Sequence, residues 1–460
     1  GVSVPTPQAN TPDQTGLPAP LRHWAMFTLV LSIFMAVLDG TIINVALPSI
    51  AKELGVPGHQ AVWIINAYQL AIISTLLPYS SLAERIGFRN VYLFGLITFS
   101  GMALVAALAQ DLTTLIIARS LQGIGAGAIM SINAALVRHI YPANRLGQGI
   151  AIIAMVVAVS AASGPTVAAA VLAVASWHWL FAMNVPFGIL ATLLGFRFLP
   201  HVPLSQHPFD WLSAILTSAL FVALISAISD IGHEGQLYPW LIKTLITITM
   251  GYILYRRLWH HPAPLLPLDL LRITMFRLSV ITSVLAFCAQ MLAFVAMPFY
   301  LFDTLGKSAM ETGLLITPWP LMIGVIAPIA GRLADRYPAG VLGVIGLSVL
   351  CLGLLFLALL PTEPTHWQIV WRVALSGAGF AIFQSPNNRA IMTSAPVHRS
   401  GGASGMLGTA RLLGQSLGAA LAGVMLLNWP NNAANLSLYL AAGLAFLATF
   451  ISLLRKTERT

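Results

Sequence analysis

The sequence predicts an all-α polytopic membrane protein, and two observations carry that prediction. Of its 460 residues, 58% are hydrophobic and only 8% charged, against about a quarter charged in an ordinary soluble domain. Apolar runs of about 20 residues, each long enough to cross a hydrocarbon core of about 30 Å, recur along nearly the whole chain. The short alternating segments of a membrane barrel are missing.

Taken in order, polar breaks divide the chain into about fourteen spans. The first, about 24–50, ends before Lys52 and Glu53, and the second, about 60–80, before Glu84 and Arg85. Asp111 separates spans at about 91–110 and 112–137, and Arg138 to Arg145 separate the latter from about 148–175. The sixth, about 178–199, opens on an aromatic cluster at Trp177 to Trp179. Spans at about 211–229 and 239–258 are bounded by Asp230 and by Arg256 with Arg257. Six more follow at about 276–302, 312–332, 340–360, 367–391, 401–427 and 435–454. Taken together, the loops after even-numbered spans with the C-terminal tail carry a net positive charge and those after odd-numbered spans a net negative one. The positive-inside bias therefore expects the even loops and both termini in the cytoplasm.

The net charge of +9 sits singly in these breaks rather than in clusters, so it reports topology and not nucleic-acid binding. Only Cys288 and Cys351 occur, both in apolar runs, which excludes a disulfide framework. Residues 1–22, rich in Pro, Thr and Gln near their start, read as a disordered tail rather than a signal peptide.

Short signals recur about 250 residues apart. VALP at Val45 to Pro48 answers VAMP at Val295 to Pro298, and SSLAER at Ser80 to Arg85 answers GRLADR at Gly331 to Arg336. QGIG at Gln122 to Gly125 answers SGAG at Ser376 to Gly379, and RLG at Arg145 to Gly147 answers RSG at Arg399 to Gly401. The chain thus divides into a six-helix bundle at 23–204, a linker with two extra helices at 205–265, a second six-helix bundle at 266–454, and a tail at 455–460. Paired bundles of this kind suit transporters that rock around a midplane cavity.

Asp39 is the first residue that asks for a function. A charge near the bilayer centre costs at least about 2.5 kcal/mol, so it is expected to face a bundle interior or a wet cavity. At about 1.5 Å per residue, Asp39 lies roughly 22 Å from the inner end of the first span, and Arg119 roughly 10 Å from the outer end of the fourth. Across a core of about 30 Å those depths nearly coincide, so the two are candidate partners, as a proton switch or as a permanent structural pair. Arg411 lies roughly 15 Å into the thirteenth span. It offsets Asp39, contacts substrate, or bonds only to backbone carbonyls. Asn44, Asn66, Gln69, Asn133, Gln290, Gln384, Asn387 and Asn388 line a cavity or bridge helices. Aromatic residues such as Phe287, Phe294 and Trp319 offer an adaptable apolar substrate surface or simply pack. Glu84, Arg85 and Arg89, with Asp335 and Arg336 in the second copy, could pair with helix ends in one conformation and release in another, or only set topology.

LDGTIINVALP at Leu38 to Pro48, LAERIGFR at Leu82 to Arg89, RSLQGIG at Arg119 to Gly125, SGP at Ser163 to Pro165 and WHWLFAMNVPFG at Trp177 to Gly188 resemble motifs of the major facilitator superfamily. Their combination resembles its fourteen-span drug:proton antiporter branch. The resemblance implies two six-helix bundles plus two additional helices, Asp39 and Arg119 in proton coupling, a cytoplasmic gate at the Glu84 and Asp335 loops, and an antiporter motif at Gly164 and Pro165. It implies a proton-coupled multidrug exporter in a bacterial inner membrane, a secondary transporter rather than an enzyme. No phosphate-binding glycine loop or metal cluster is legible, so no cofactor beyond the proton gradient is expected. The expected partners are small-molecule substrates, protons and the lipid bilayer, not nucleic acid, and the chain is expected to act as a monomer. An exporter of one endogenous metabolite and a transporter-like membrane receptor are the alternatives.

Overall fold

A computed structural model describes residues 16–455 except 57, 62, 232–234, 236, 308 and 430. Among them fourteen long helices account for the predicted spans one for one. They are α1 (Ala19–Leu54), α2 (Trp63–Ile86), α3 (Phe88–Ala107), α4 (Leu112–Ile140), α5 (Leu146–Val174), α6 (Asn184–Phe198) and α7 (Trp211–Ser229). The rest are α8 (Leu237–Leu258), α9 (Thr274–Phe299), α10 (Pro318–Ala334), α11 (Ala339–Ala358), α12 (His366–Ser394), α13 (Ser400–Asn428) and α14 (Ala433–Arg455).

Twelve of the helical segments are long and apolar enough to cross a membrane. The remaining two long helices, α2 and α12, have 24 and 29 residues. They carry Asn66, Gln69, Glu84 and Arg85, and Arg372, Gln384, Asn387, Asn388 and Arg389, which lowers their hydropathy without shortening them.

Local chemistry fixes the helix ends. Asp111 caps α4 by accepting from Thr114 N at 3.1 Å, Asp210 caps α7 through Ser213 N at 3.2 Å, and Thr365 with Gln368 forms a reciprocal box at the start of α12. Gly55 closes α1 at φ 67°, a left-handed conformation that glycine adopts without strain. Pro78 in α2 and Pro328 in α10 stand inside their helices, one residue out of the repeat register, where packing against neighbours offsets the lost backbone bond.

The helices gather into two bundles with the same plan. In the first, α4 packs on α2 and α3, and α1 on α5 and α6; in the second, α12 packs on α10 and α11, and α9 on α13 and α14. The bundles meet along two related seams, α5 against α10 and α13 against α2, with α13 also against α4. Of the extra pair, α7 lies across the second seam on α2 and α13, while α8 packs chiefly on α7.

Two boundaries differ from the sequence reading. The first helix begins at Ala19 inside the predicted tail, because Leu17 N donates to Ile140 O at 2.9 Å and docks the preceding segment on the end of α4. Residues 1–15 and 456–460 of the predicted tails lie outside the described residues. Arg455, read as a tail charge, ends α14 and is 1% exposed. Its guanidinium donates to Asn387 Oδ1 at 2.6 Å, Ser452 Oγ at 2.8 Å and Ser279 Oγ at 3.1 Å.

Candidate transport site

Asp39 and Arg119 meet inside the first bundle. Arg119 Nη1 donates to Asp39 Oδ2, and both side chains are 1% exposed. The second carboxylate oxygen accepts from Asn184 Nδ2 at 3.0 Å. Arg119 is held in turn by Gln122 Oε1 at 2.9 Å, one turn along α4, and by Ile64 O at 3.1 Å on α2. Its guanidinium lies 4.1 Å from the centre of the Tyr68 ring, whose hydroxyl donates to Ala36 O at 3.1 Å. Four helices therefore converge on one charge pair, and both Asp39 oxygens and the Nε and Nη1 groups of Arg119 are bonded within the fold.

Asn184 was not singled out from the sequence. Its signal was a lone amide in the apolar stretch WHWLFAMNVPFG, and its partner could be found only once α6 had been turned against α1. Gly164 of α5 lies against Thr41 of α1, two residues beyond Asp39; a Cβ there would collide with the threonine. The side chains of Asn44 and Pro165 lie outside the described residues.

A second group of polar residues lies at the seam between bundles. Arg411 of α13 lines a central cavity with Asn133 of α4 and Gln384 and Asn388 of α12. Ile33, Val157, Phe287 and Leu407 supply apolar wall from α1, α5, α9 and α13. Of the other expected cavity residues, Trp319 is 2% exposed and packs edge-on to Phe294 at 5.0 Å, and Gln290 is also buried. Asn66 and Gln69 are exposed on α2 and do not line this cavity. One turn separates them, so the face of α2 that buries Tyr68 turns both away.

At the Arg-rich end the seams are tied by a repeated device. Glu84, at the end of α2, accepts from Gly402 N at 2.7 Å at the start of α13 and from Arg399 Nη1 at 2.6 Å. Asp335, just past α10, accepts from Gly147 N at 2.9 Å at the start of α5 and from Arg389 Nε at 2.9 Å. In each half a carboxylate takes an unpaired N–H in the first turn of a helix of the other half, where it also meets the positive end of the helix dipole. Arg399 adds Asp269 at 2.8 and 3.0 Å and Pro264 O at 3.0 Å. Arg138 of the first bundle donates to Met392 O and to Ala395 O of the second.

Other residues of these loops work elsewhere. Arg85 ties the linker, donating to Pro208 O at 3.1 Å and Ala263 O at 3.0 Å. Arg89 bonds His201 at 2.9 Å and Phe196 O within its own bundle. Arg336 is exposed. The glycines at the seam are a contact requirement: a Cβ on Gly331 would lie 2.5 Å from both Ala151 Cβ and Gly147 O.

A model of the Major Facilitator Superfamily matches residues 29–419 and, in a second match, 279–460. The chain belongs to this superfamily. It is 50% identical over 445 residues to the uncharacterized transporter YebQ of Escherichia coli, covering 96% of this chain and 97% of that one. Riboflavin transporter RibZ of Clostridioides difficile is 29% identical, with 87% of each chain covered. Multidrug resistance protein Stp of Mycobacterium tuberculosis is 29% identical, covering 89% of this chain and 77% of Stp. The crystal structure of the human organic anion transporter MFSD10 superposes with a TM-score of 0.68 at 16% identity, over 94% of this chain and 99% of that one, a likeness of fold alone. The protein is a multi-pass membrane transporter and not an enzyme.

Proposed function

We propose that the chain is a proton-coupled exporter of lipophilic compounds, working by alternating access in a bacterial inner membrane with its even-numbered loops and both termini inside. The observation that carries this reading is the Asp39–Arg119–Asn184 cluster, a carboxylate kept in a transmembrane bundle at the cost of holding two donors in place. Protonation removes the charge that Arg119 pairs with, so it alters the contacts between α1, α4 and α6.

The neighbouring helix can carry that change. Gly164 touches α1 beside Asp39, and Gly147 of the same helix touches Gly331 of the other bundle, roughly 26 Å away at about 1.5 Å per residue. With the Arg-rich end inside, the Glu84 and Asp335 contacts close the inner gate, and a proton arriving from outside finds the carrier ready to release its load outward. The likeness to Stp supports a drug-like load, and the likeness to RibZ supports the narrower alternative of one metabolite.

The test is purified protein in liposomes under an imposed pH gradient, challenged with lipophilic compounds of different charge. At least one compound should dissipate the gradient with the wild type and none with Asp39→Asn. Full coupling in the mutant would remove Asp39 from the mechanism. Transport of one compound without competition from the others would select the metabolite reading.

A further inference from the structure

Arg411 is a cation in the middle of the fold with no counter-ion among the described residues. It stands eleven residues into α13, roughly 16 Å from the helix start at about 1.5 Å per residue. It makes no hydrogen bond, ion pair or ring contact with any described residue, and no Asp or Glu lines its cavity. Asp39 cannot serve, since both of its oxygens are taken by Arg119 and Asn184. Gln384 and Asn388, which share the cavity, likewise make no hydrogen bond with a described residue.

Each of these groups is costly to leave unmatched in a membrane. A guanidinium presents a planar fork that fits a carboxylate, sulfonate or phosphate through two parallel bonds, and neighbouring amide NH2 groups can donate to the same oxygens. Around them the wall is apolar, with Phe287, Ile33 and Leu407. The cavity also draws on α1, α4 and α5 of one bundle and α9, α12 and α13 of the other, so an occupant touches both halves.

We infer that this cavity binds amphipathic organic anions, with Arg411 holding the acidic group and the apolar wall holding the body. The cavity measures about 60 Å³ in this closed arrangement, so the body of the anion enters only as the bundles rock apart, while the guanidinium stays on α13. A lipophilic cation, in contrast, meets an uncompensated like charge. The inference rests on the export reading for the direction of transport, but binding does not depend on it.

The experiment therefore measures binding. Three probes share a pyrene body: pyrenebutyrate, pyrenebutanol and pyrenemethylammonium. Each is titrated against detergent-purified full-length protein, read by quenching of tryptophan fluorescence. The carboxylate should bind at least tenfold more tightly than the ammonium, with the alcohol between them. Arg411→Gln should erase the advantage of the carboxylate over the alcohol, while Arg411→Lys, which keeps the charge but not the fork, should keep part of it. A monodisperse elution profile checks that each variant is folded. Preference for the ammonium, equal losses of carboxylate and alcohol in Arg411→Gln, or no binding of any probe by the wild type would overturn the inference. Any of these results combined with Asp39-dependent transport of another compound would leave the export reading intact.

Discussion

Replacing Arg399 by Gln should unlatch the two bundles at the Arg-rich end. Arg399 and Glu84 are each 2% exposed, and their bond at 2.6 Å joins the second bundle to the first. Removing one partner of a buried pair costs about 3–5 kcal/mol, because the other charge is left without compensation. Gly402 N still donates to Glu84 at 2.7 Å, which places the loss near the lower end, about 3 kcal/mol. The interaction bridges the halves, so its loss falls on the latched arrangement. At about 1.4 kcal/mol per tenfold, the latched-to-open ratio drops about 150-fold. A protein about 99% latched would fall to about 40%. Spin labels on Ile86→Cys and His398→Cys, exposed positions flanking the pair on opposite bundles, read this as a second, longer distance. Cys288 and Cys351 are replaced beforehand. An unchanged distance distribution in both Arg399→Gln and Glu84→Gln would refute the argument.

Four further outcomes are expected. Gly331→Val forces α10 from α5, since even a Cβ there lies 2.5 Å from Ala151 Cβ and Gly147 O, and the same spin labels should lengthen without any loss of charge. Arg455→Ala removes three hydrogen bonds and leaves Asn387 Oδ1 without its donor; a loss of about 2 kcal/mol should lower the melting temperature in detergent. Asp210 is partly buried, which opposes its charged form, yet bonds from Arg257 and Ser213 hold its carboxyl down to about 2. With an unfolded value of about 3.9, its stabilising effect is fully present above that pH and is lost as pH falls through about 2, so Asp210→Asn should leave the pH profile of transport above pH 5 unmoved. Exchange of one monovalent anion for one proton would carry two charges, worth about 4.6 kcal/mol per 100 mV. A potassium-diffusion potential should therefore accelerate export of a pyrene carboxylate and leave one-for-one exchange of a pyrene ammonium unaffected.

Much of this arrangement is written in short-range pattern. Span number follows from the length of apolar runs, and the two-bundle plan from four motif pairs that keep one order and an offset of about 250 residues. Asp39 and Arg119 could be paired because depth in a slab is a single coordinate that residue counting supplies. Rotation of a helix about its axis is another matter. Asn184 reaches Asp39 only because α6 turns that face toward α1, and an apolar helix bounded by lipid and protein gives little periodicity from which to read it. Arg399 lies 315 residues from Glu84, and its role depends on how the bundles meet. Arg455 read as a tail charge because charge after the last apolar run normally lies in water; here Asn387 and Ser279 of neighbouring helices provide its partners.

The segment carrying α7 and α8 leaves and rejoins the bundles at one corner. Pro208 on the way out and Ala263 on the way back both accept hydrogen bonds from the single guanidinium of Arg85, so the two ends of the excursion meet at one side chain. A chain whose ends already meet can be lengthened or shortened between them without disturbing what they join. The hairpin is thus a splice, a piece of coding sequence that could be gained, exchanged or deleted in one event while the twelve helices of the two bundles kept their order and their packing. A gene with a short turn in place of residues 209–262 should still encode a folded protein.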